Sequence, residues 1–278
     1  MFEINDDYDH KESLEYILEN VLMTDDGSPE FKSLEDDYNS QLTLFCSCSA
    51  QKNSRICNDS AHCCHGVGYL FNTEEAELVL VKNTNKRLPA LIECNDLCEC
   101  KLSQCNNRLV QFGPRKKLEI FYSPLFKSMG LRTTVNIPCG AFICEYAGEL
   151  LTLSEAKRRL KLIDKRGQMN YVLCLHEYAR LEHNTDYQPS QITIVDPSQR
   201  GNIGRYLNHS CQPNCEILAV RINSPIPKIG IFAKQNISVN EELCFHYGGE
   251  EFENGSPDGK PCLCGAPNCT SVLPNTII

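Results

Sequence analysis

The sequence contains no apolar run approaching the ~20 residues that a membrane-spanning helix requires. Met1 is followed by acidic residues, where a secretory leader carries basic and then apolar ones. A soluble, intracellular chain with no membrane partner is therefore expected. Positive charge is also scarce: 27 Lys and Arg stand against 36 Asp and Glu, a formal net charge of −9. Non-specific attachment to phosphate backbones rests on clustered cations, so direct DNA binding is not supported, and the basic stretch at Lys157, Arg158, Arg159 and Lys161 reads as a solvated helix face. No glycine-rich phosphate loop, HExxH pair, Ser-His-Asp order or internal repeat is present, which leaves nucleotide-loop, zincin, serine-hydrolase and solenoid readings without a basis. What the chain does have is 278 residues, 41% of them hydrophobic, and eighteen cysteines. The first two suffice for a real core and exclude disorder over the whole chain. In a reducing compartment such cysteine density points to metal rather than to disulfides, with zinc the first suspect.

The charge is unevenly placed. Residues 1–40 hold thirteen Asp or Glu against Lys11 and Lys32, a net −11, and the rest of the chain is left at +2. Within this acidic arm, taken as residues 1–41, Leu14, Ile17, Leu18, Val21 and Leu22 recur at helical spacing and predict a short amphipathic helix from about 11 to 23. Two readings of the arm stay open: its helix docks on the body, or the arm contacts basic partners.

Nine cysteines form a bipartite group over residues 42–112: Cys46, Cys48, Cys57, Cys63 and Cys64, then, after 29 residues, Cys94, Cys98, Cys100 and Cys105. Tetrahedral zinc takes four ligands, so three ions need twelve bonds. Nine thiolates supply twelve when three of them bridge two metals. Shared sulfurs suit the adjacent Cys63-Cys64 pair better than separate four-cysteine fingers do, and the odd count argues against a disulfide framework. Near the C-terminus, Cys262, Cys264 and Cys269 are one ligand short of a tetrahedron; Cys211 is the best candidate for the fourth, which would tie residues 250–278 back onto the body. Cys139, Cys144, Cys174, Cys215 and Cys244 read as small core residues.

Between these groups, residues 113–249 show short β-type runs at Leu118–Tyr122, Gly140–Tyr146, Tyr171–Leu175, Gln191–Val195, Glu216–Ile222 and Ile229–Ala233. One helix from Thr152 to Arg166 interrupts them, with Thr152 and Glu155 as a capping-box pair and Leu153, Ala156, Leu160 and Ile163 on one face. The expected fold class is mainly β with one inserted helix. Polar chemistry crowds into Asn202-Ile203-Gly204-Arg205-Tyr206-Leu207-Asn208-His209-Ser210-Cys211 and Glu241-Glu242-Leu243-Cys244-Phe245-His246-Tyr247-Gly248. These stretches, with Tyr146-Ala147-Gly148-Glu149, resemble the signature motifs of the SET-domain protein lysine methyltransferases. The nine-cysteine group resembles that family's pre-SET region and residues 262–269 its post-SET region, so five features match in order from about 42 to 274. The wording from Glu93-Cys94-Asn95 to Asn107-Arg108-Leu109-Val110-Gln111 is most similar to the histone H3 enzymes of the family, including one fused to a transposase.

The resemblance implies a SET-domain β-clip flanked by a three-zinc pre-SET cluster and a one-zinc post-SET clasp. It implies S-adenosylmethionine as cofactor and a histone H3 tail or nucleosome as substrate, with lysine 9 or lysine 36 as target and the nucleus and chromosome as location. Tyr247 is then the main catalytic residue, at the junction of cofactor and lysine channel. Tyr171 lines the cofactor or the lysine channel, Asn208 and His209 hold the cofactor, and Arg205 supports the pocket. Phe245 takes the position of the phenylalanine/tyrosine switch, where Phe allows di- or trimethylation. Lys127-Ser128-Met129-Gly130 stands where the family has a Gly-Trp-Gly turn that meets the cofactor, so Ser128 replaces the first glycine and Met129 the aromatic. His246 replaces an Asp with a group that titrates near neutrality. Two other functions stay open: lysine methylation of a non-histone protein, and a zinc-stabilised chromatin-binding module with an impaired cofactor site.

Overall fold

This computed structural model describes residues 14–48, 57, 63–66, 68–81, 91–100, 105–180, 187–248 and 259–274. The described residues are mainly β, in short strands, with two α-helices. One four-stranded sheet orders Leu173–Arg180, Tyr187–Asp196, Glu149–Leu150 and Val21–Leu22; another orders Leu91–Ile92, Cys215–Arg221, Lys228–Ala233 and Phe142–Glu145. Between them lies an apolar core in which Leu131, Ile143, Val195, Ile203, Ile229 and Ile231 have no exposed surface. The β-branched runs at 191–195 and 229–233 fill it because alternate residues of a strand share a face.

The helix Leu153–Arg166 forms as expected, from the Thr152 N-cap to the left-handed Gly167 C-cap at φ 63°. Only half of the capping box is made. Thr152 Oγ1 accepts from the Glu155 amide at 3.2 Å, whereas the Thr152 amide donates to Met23 Sδ at 3.5 Å and the Glu155 carboxylate turns to Arg158 and Arg159. The buried face is also narrower than predicted: Ala156, Leu160 and Ile163 pack inward with Val172 and Ile194, while Leu153 is exposed.

The predicted arm helix does not form over its described part, residues 14–23; residues 11–13 lie outside the described residues. Glu15–Tyr16 runs as a parallel strand along Arg200–Gly201, and Val21–Leu22 runs parallel to Glu149–Leu150. Two open sheet edges offer the backbone hydrogen bonds that a helix would otherwise have satisfied internally, and tertiary pairing outweighs a short periodic pattern. Asn20 adds to it, its Oδ1 accepting from the Gly148 amide at 3.0 Å. The arm's helix lies further on, at Pro29–Asn39, where Ser28 caps the Phe31 amide and Pro29 occupies the first turn. Phe31 and Met23 bury against Leu151 and Ala156, and the Glu30 carboxylate accepts from the Ser154 amide and hydroxyl at 3.1 and 2.8 Å. The arm thus docks on the body, by strands and a later helix.

The feature that builds the site is a two-residue parallel pairing, Asn208–His209 with Cys244–Phe245. Parallel neighbours need a long return connection. Here it is the antiparallel pair Cys215–Arg221 and Lys228–Ala233, which brings the chain back so that the two polar stretches lie side by side.

Candidate active site and metal centres

Tyr247 stands just beyond the paired strands, and three contacts fix it. Its amide donates to His209 Nδ1 at 3.2 Å, its hydroxyl donates to the Leu207 carbonyl at 3.0 Å, and its ring lies 5.0 Å from Phe245 and 5.2 Å from His209, centroid to centroid. Burial pushes the phenol well above its ordinary value, so the hydroxyl stays protonated. The His209 tautomer follows from its partners. A backbone N–H only donates, so Nδ1 carries no proton and Nε2–H faces Cys211 Sγ at 3.4 Å. Burial, with His246 4.8 Å away ring to ring, lowers its pKa to about 4 and keeps the imidazole neutral. One imidazole therefore joins the Tyr247 backbone to the thiol at the start of the C-terminal clasp.

Tyr171, Arg205, Phe245 and Tyr247, all predicted site residues, line one cavity of about 610 Å³, within the size range of small-molecule sites. Arg205 places its guanidinium 4.4 Å from the Tyr171 ring centroid, a cation–π contact that holds both walls. Tyr146 lines the same cavity and was not singled out from the sequence, although its motif was. Its hydroxyl donates to the Tyr171 carbonyl at 2.6 Å and its ring meets Phe245 edge-on at 6.0 Å. Gly259, Lys260, Leu273 and Pro274 close the cavity from the C-terminal segment, where Lys260 Nζ donates to the Gln168 carbonyl.

The other predicted cofactor residues form an adjoining group and do not line this cavity. Ser128 Oγ donates to Asn208 Oδ1 at 3.2 Å, and Asn208 Nδ2 donates to the Met129 carbonyl at 3.3 Å and Glu242 Oε1 at 2.8 Å. Glu242, a member of the second polar stretch for which no role was expected, also accepts from Ser123 Oγ at 2.7 Å. Ser128 starts the strand Ser128–Thr133, paired with Leu118–Ser123, and needs no left-handed backbone. Lys127 at the turn takes that conformation instead, at φ 53°, and is exposed, as is Met129. The glycine under constraint here is Gly130, inside the strand, where a Cβ would come within 2.5 Å of Glu242 Oε1 and 3.2 Å of Asn208 Nδ2. Gly148 is similar: a Cβ there would lie 2.6 Å from the Asp196 backbone.

Both cysteine groups assemble. Cys211, Cys262, Cys264 and Cys269 bring four sulfurs within 4.8 Å of one another, Cys211 and Cys262 at 3.9 Å. In the N-terminal region the sets Cys46, His65, Cys94, Cys98, then Cys46, Cys57, Cys63, Cys94, and Cys57, Cys94, Cys100, Cys105 meet the same limit. Cys46 lies 3.8 Å from Cys57 and 3.7 Å from Cys94, sulfur to sulfur. A tetrahedral zinc with bonds of about 2.3 Å spaces its thiolates by about 3.8 Å, so the donors present fit zinc. Cys48 and Cys64 stand outside these four-donor sets, and His65, not predicted, stands inside one. Within the region, Glu93 ties the second group of cysteines to the segment that follows it. Its buried carboxylate accepts from the amides of Leu109 at 2.9 Å and Val110 at 2.7 Å, from Gln111 Nε2 at 2.8 Å and from the Tyr69 hydroxyl at 2.8 Å.

Residues 128–248 match the SET domain family. The chain is similar to the probable histone-lysine N-methyltransferase set-23 of Caenorhabditis elegans, 43% identical over 78% of this chain and 86% of that one. It is also similar to the histone-lysine N-methyltransferase SETMAR of Mus musculus, 41% identical over 70% of this chain, and spans 63% of that relative's length. Among solved structures, the methyltransferase domain of human SETMAR matches with a TM-score of 0.71 and 33% identity, over 94% of this chain and 89% of that one. Arabidopsis thaliana SUVH6 in complex with SAM matches with 0.69 and 27%, over 97% of this chain and 52% of that one.

Proposed function

Because the chain belongs to the SET-domain family of histone-lysine N-methyltransferases, we propose that it moves a methyl group from S-adenosylmethionine to a lysine of a histone tail. Histone H3 is the substrate, lysine 9 or lysine 36 the target, and the nucleus and chromosome the place of action. The observation that carries this reading is the convergence of Tyr146, Tyr171, Phe245 and Tyr247 on one cavity, with Tyr247 tied through His209 to the C-terminal thiols.

S-adenosylmethionine, when bound, supplies an electrophilic methyl group on a sulfonium sulfur. Tyr171, Arg205, Asn208, His209 and the backbone of Lys127, Ser128 and Met129 are the residues that would hold it. A lysine amine has an ordinary pKa of ~10.4, so only about one in 10³ is nucleophilic at neutral pH. The aromatic walls oppose its charged form by desolvation. The Tyr247 hydroxyl spends its proton on the Leu207 carbonyl, which leaves its oxygen as an acceptor to orient the amine. Phe245 offers no hydroxyl to hold a water beside the amine, so di- and trimethylation are sterically open. Leu173–Arg180, an edge strand that begins on the cavity wall, suits strand addition by an extended tail. The cysteine groups hold three zincs in the N-terminal cluster and one in the C-terminal clasp.

A mass-spectrometric assay on histone octamers tests the reading. Wild-type protein should add up to two or three methyl groups to an H3 lysine. Tyr247→Phe should cut the rate by about 10²-fold or more, and Phe245→Tyr should shift the product toward monomethyl. No S-adenosylmethionine binding by calorimetry to zinc-loaded protein would overturn it in favour of a binding module. Cofactor binding and automethylation with histones ignored would point to a non-histone substrate.

A further inference from the structure

The N-terminal cysteine region has one ligand position for which two adjacent residues compete, a competition that presupposes the three-zinc cluster proposed for this region. Cys46, Cys57 and Cys94 each belong to more than one four-donor set, which makes them the bridging thiolates and supplies six of the twelve bonds that three tetrahedral ions require. Cys63, Cys98, Cys100 and Cys105 each belong to one set, and Cys48 interacts through its thiol with Cys57, Cys46 and Cys63. As single-metal ligands these five bring the bonds to eleven. The twelfth falls to Cys64 or His65.

Cys64 is exposed, and its sulfur sits 3.2 Å from the Phe45 carbonyl as a donor. Only a protonated thiol donates, and a zinc ligand is a thiolate. His65 reaches both Cys64, whose sulfur is 3.7 Å from Nδ1, and the buried sulfurs of the cluster. Its Nδ1 lies 3.6 Å from Cys63 Sγ and 3.8 Å from Cys94 Sγ, and its Nε2 lies 3.9 Å from Cys98 Sγ. A tetrahedral zinc with one imidazole nitrogen at about 2.05 Å and thiolates at about 2.3 Å spaces nitrogen and sulfur by about 3.6 Å. The far nitrogen has the partner a ligating imidazole usually has: Nε2 is 3.4 Å from the Leu44 carbonyl, which also accepts from Asn95 Nδ2 at 2.7 Å. A backbone acceptor there places the proton on Nε2 and frees Nδ1 for metal.

We propose that His65, through Nδ1, is the twelfth ligand of the cluster, completing a Cys46, Cys94, Cys98 site, and that Cys64 is a free, reactive thiol. The cluster then holds eight thiolates and one imidazole and carries one negative charge fewer than a nine-thiolate cluster.

Zinc content of the full chain and alkylation mapped by mass spectrometry test this together. Iodoacetamide on the zinc-loaded wild type should label Cys64 and leave Cys63, its neighbour, protected. Cys64→Ser should keep the wild-type zinc content. His65→Ala should lose about one zinc per chain, and His65→Cys should restore it. A protected Cys64, or a zinc lost from Cys64→Ser but kept in His65→Ala, would overturn the assignment. Wild-type protein carrying only the single C-terminal zinc would instead overturn the cluster reading itself, and the assignment with it. The alkylation map needs no variant, so a poorly folding substitution does not leave the question open.

Discussion

The cysteine region and the central sheets are both buried, but with different atoms. Around Cys94 the packed interior consists of Cys46, Cys48, Cys57, Cys63, Cys94, Cys100 and Cys105, with Cys98 at its margin. In the sheets the interior is Leu131, Ile143, Ile203, Ile229, Ile231 and their neighbours. Aliphatic side chains gain by leaving water whatever else is present. Bunched sulfurs gain little as thiols and repel one another as thiolates, so their close approach is favourable only around a cation. The molecule thus has one region that holds itself and one that is held.

The largest break in that comparison is metal removal. Structural zinc contributes about 10–16 kcal/mol per site in small zinc domains. A strong chelator should therefore abolish amide protection across 91–100 and 105–112, and across 259–274, as read by hydrogen exchange. Phe142–Glu145 and Lys228–Ala233 should stay protected. Protection retained around Cys94 after the metal is gone would mean that this region has a core of its own. The reverse test is smaller. Ile231→Ala empties a fully buried position in the central sheet and should cost about 2–5 kcal/mol in denaturant unfolding, with zinc content per chain unchanged. Zinc lost along with the isoleucine would show that the two regions stand or fall together.

The same contrast explains what was legible in the sequence. The apolar runs near 143, 194, 217 and 231 announced strands because a self-sufficient core leaves a periodic trace. Thr152 marked its helix because a side-chain cap is local. Cys211 was found by counting, since three thiols in a tetrahedral site leave one place, and four sulfurs do meet there. The arm was misread because its strands exist only where Arg200–Gly201 and Glu149–Leu150 present open edges, information no window over residues 11–23 contains. Ser28 and Pro29 did carry the local signature of the true helix start. His65 was hidden by arithmetic that already closed on nine sulfurs. Tyr146 was hidden because a tyrosine beside a β run looks like packing until Phe245 and the Tyr171 carbonyl are brought against it.

The smallest test concerns Glu155, where a local signal was half right, and it separates surface electrostatics from both larger effects. Its carboxylate accepts from Arg158 Nε and Nη2 at 2.6 and 2.8 Å and from Arg159 Nε at 2.7 Å. Arg158, with Arg159, holds it at about 2 against burial, below its ordinary 4.5. A carboxylate with a depressed folded pKa contributes stability that is complete above its unfolded value and lost as pH falls toward the folded one. Glu155→Gln should therefore weaken the helix Leu153–Arg166 by about 0.2–1 kcal/mol at pH 7, the range for partly exposed pairs. That difference from wild type should shrink between about pH 4.5 and 2. Exchange rates of helix amides 157–163, compared between the two proteins at pH 6 and pH 3, read it locally, so that zinc release elsewhere in acid does not mask it. Arg159 also donates to Glu149 at 2.7 Å and Asp196 at 2.8 Å, bonds that the substitution does not remove, which is why a small effect is expected. A difference that persists undiminished at pH 3 would assign it to helix propensity or the N-terminal dipole, and would remove the intrahelical ion pairs of Glu155 from the forces that hold this helix.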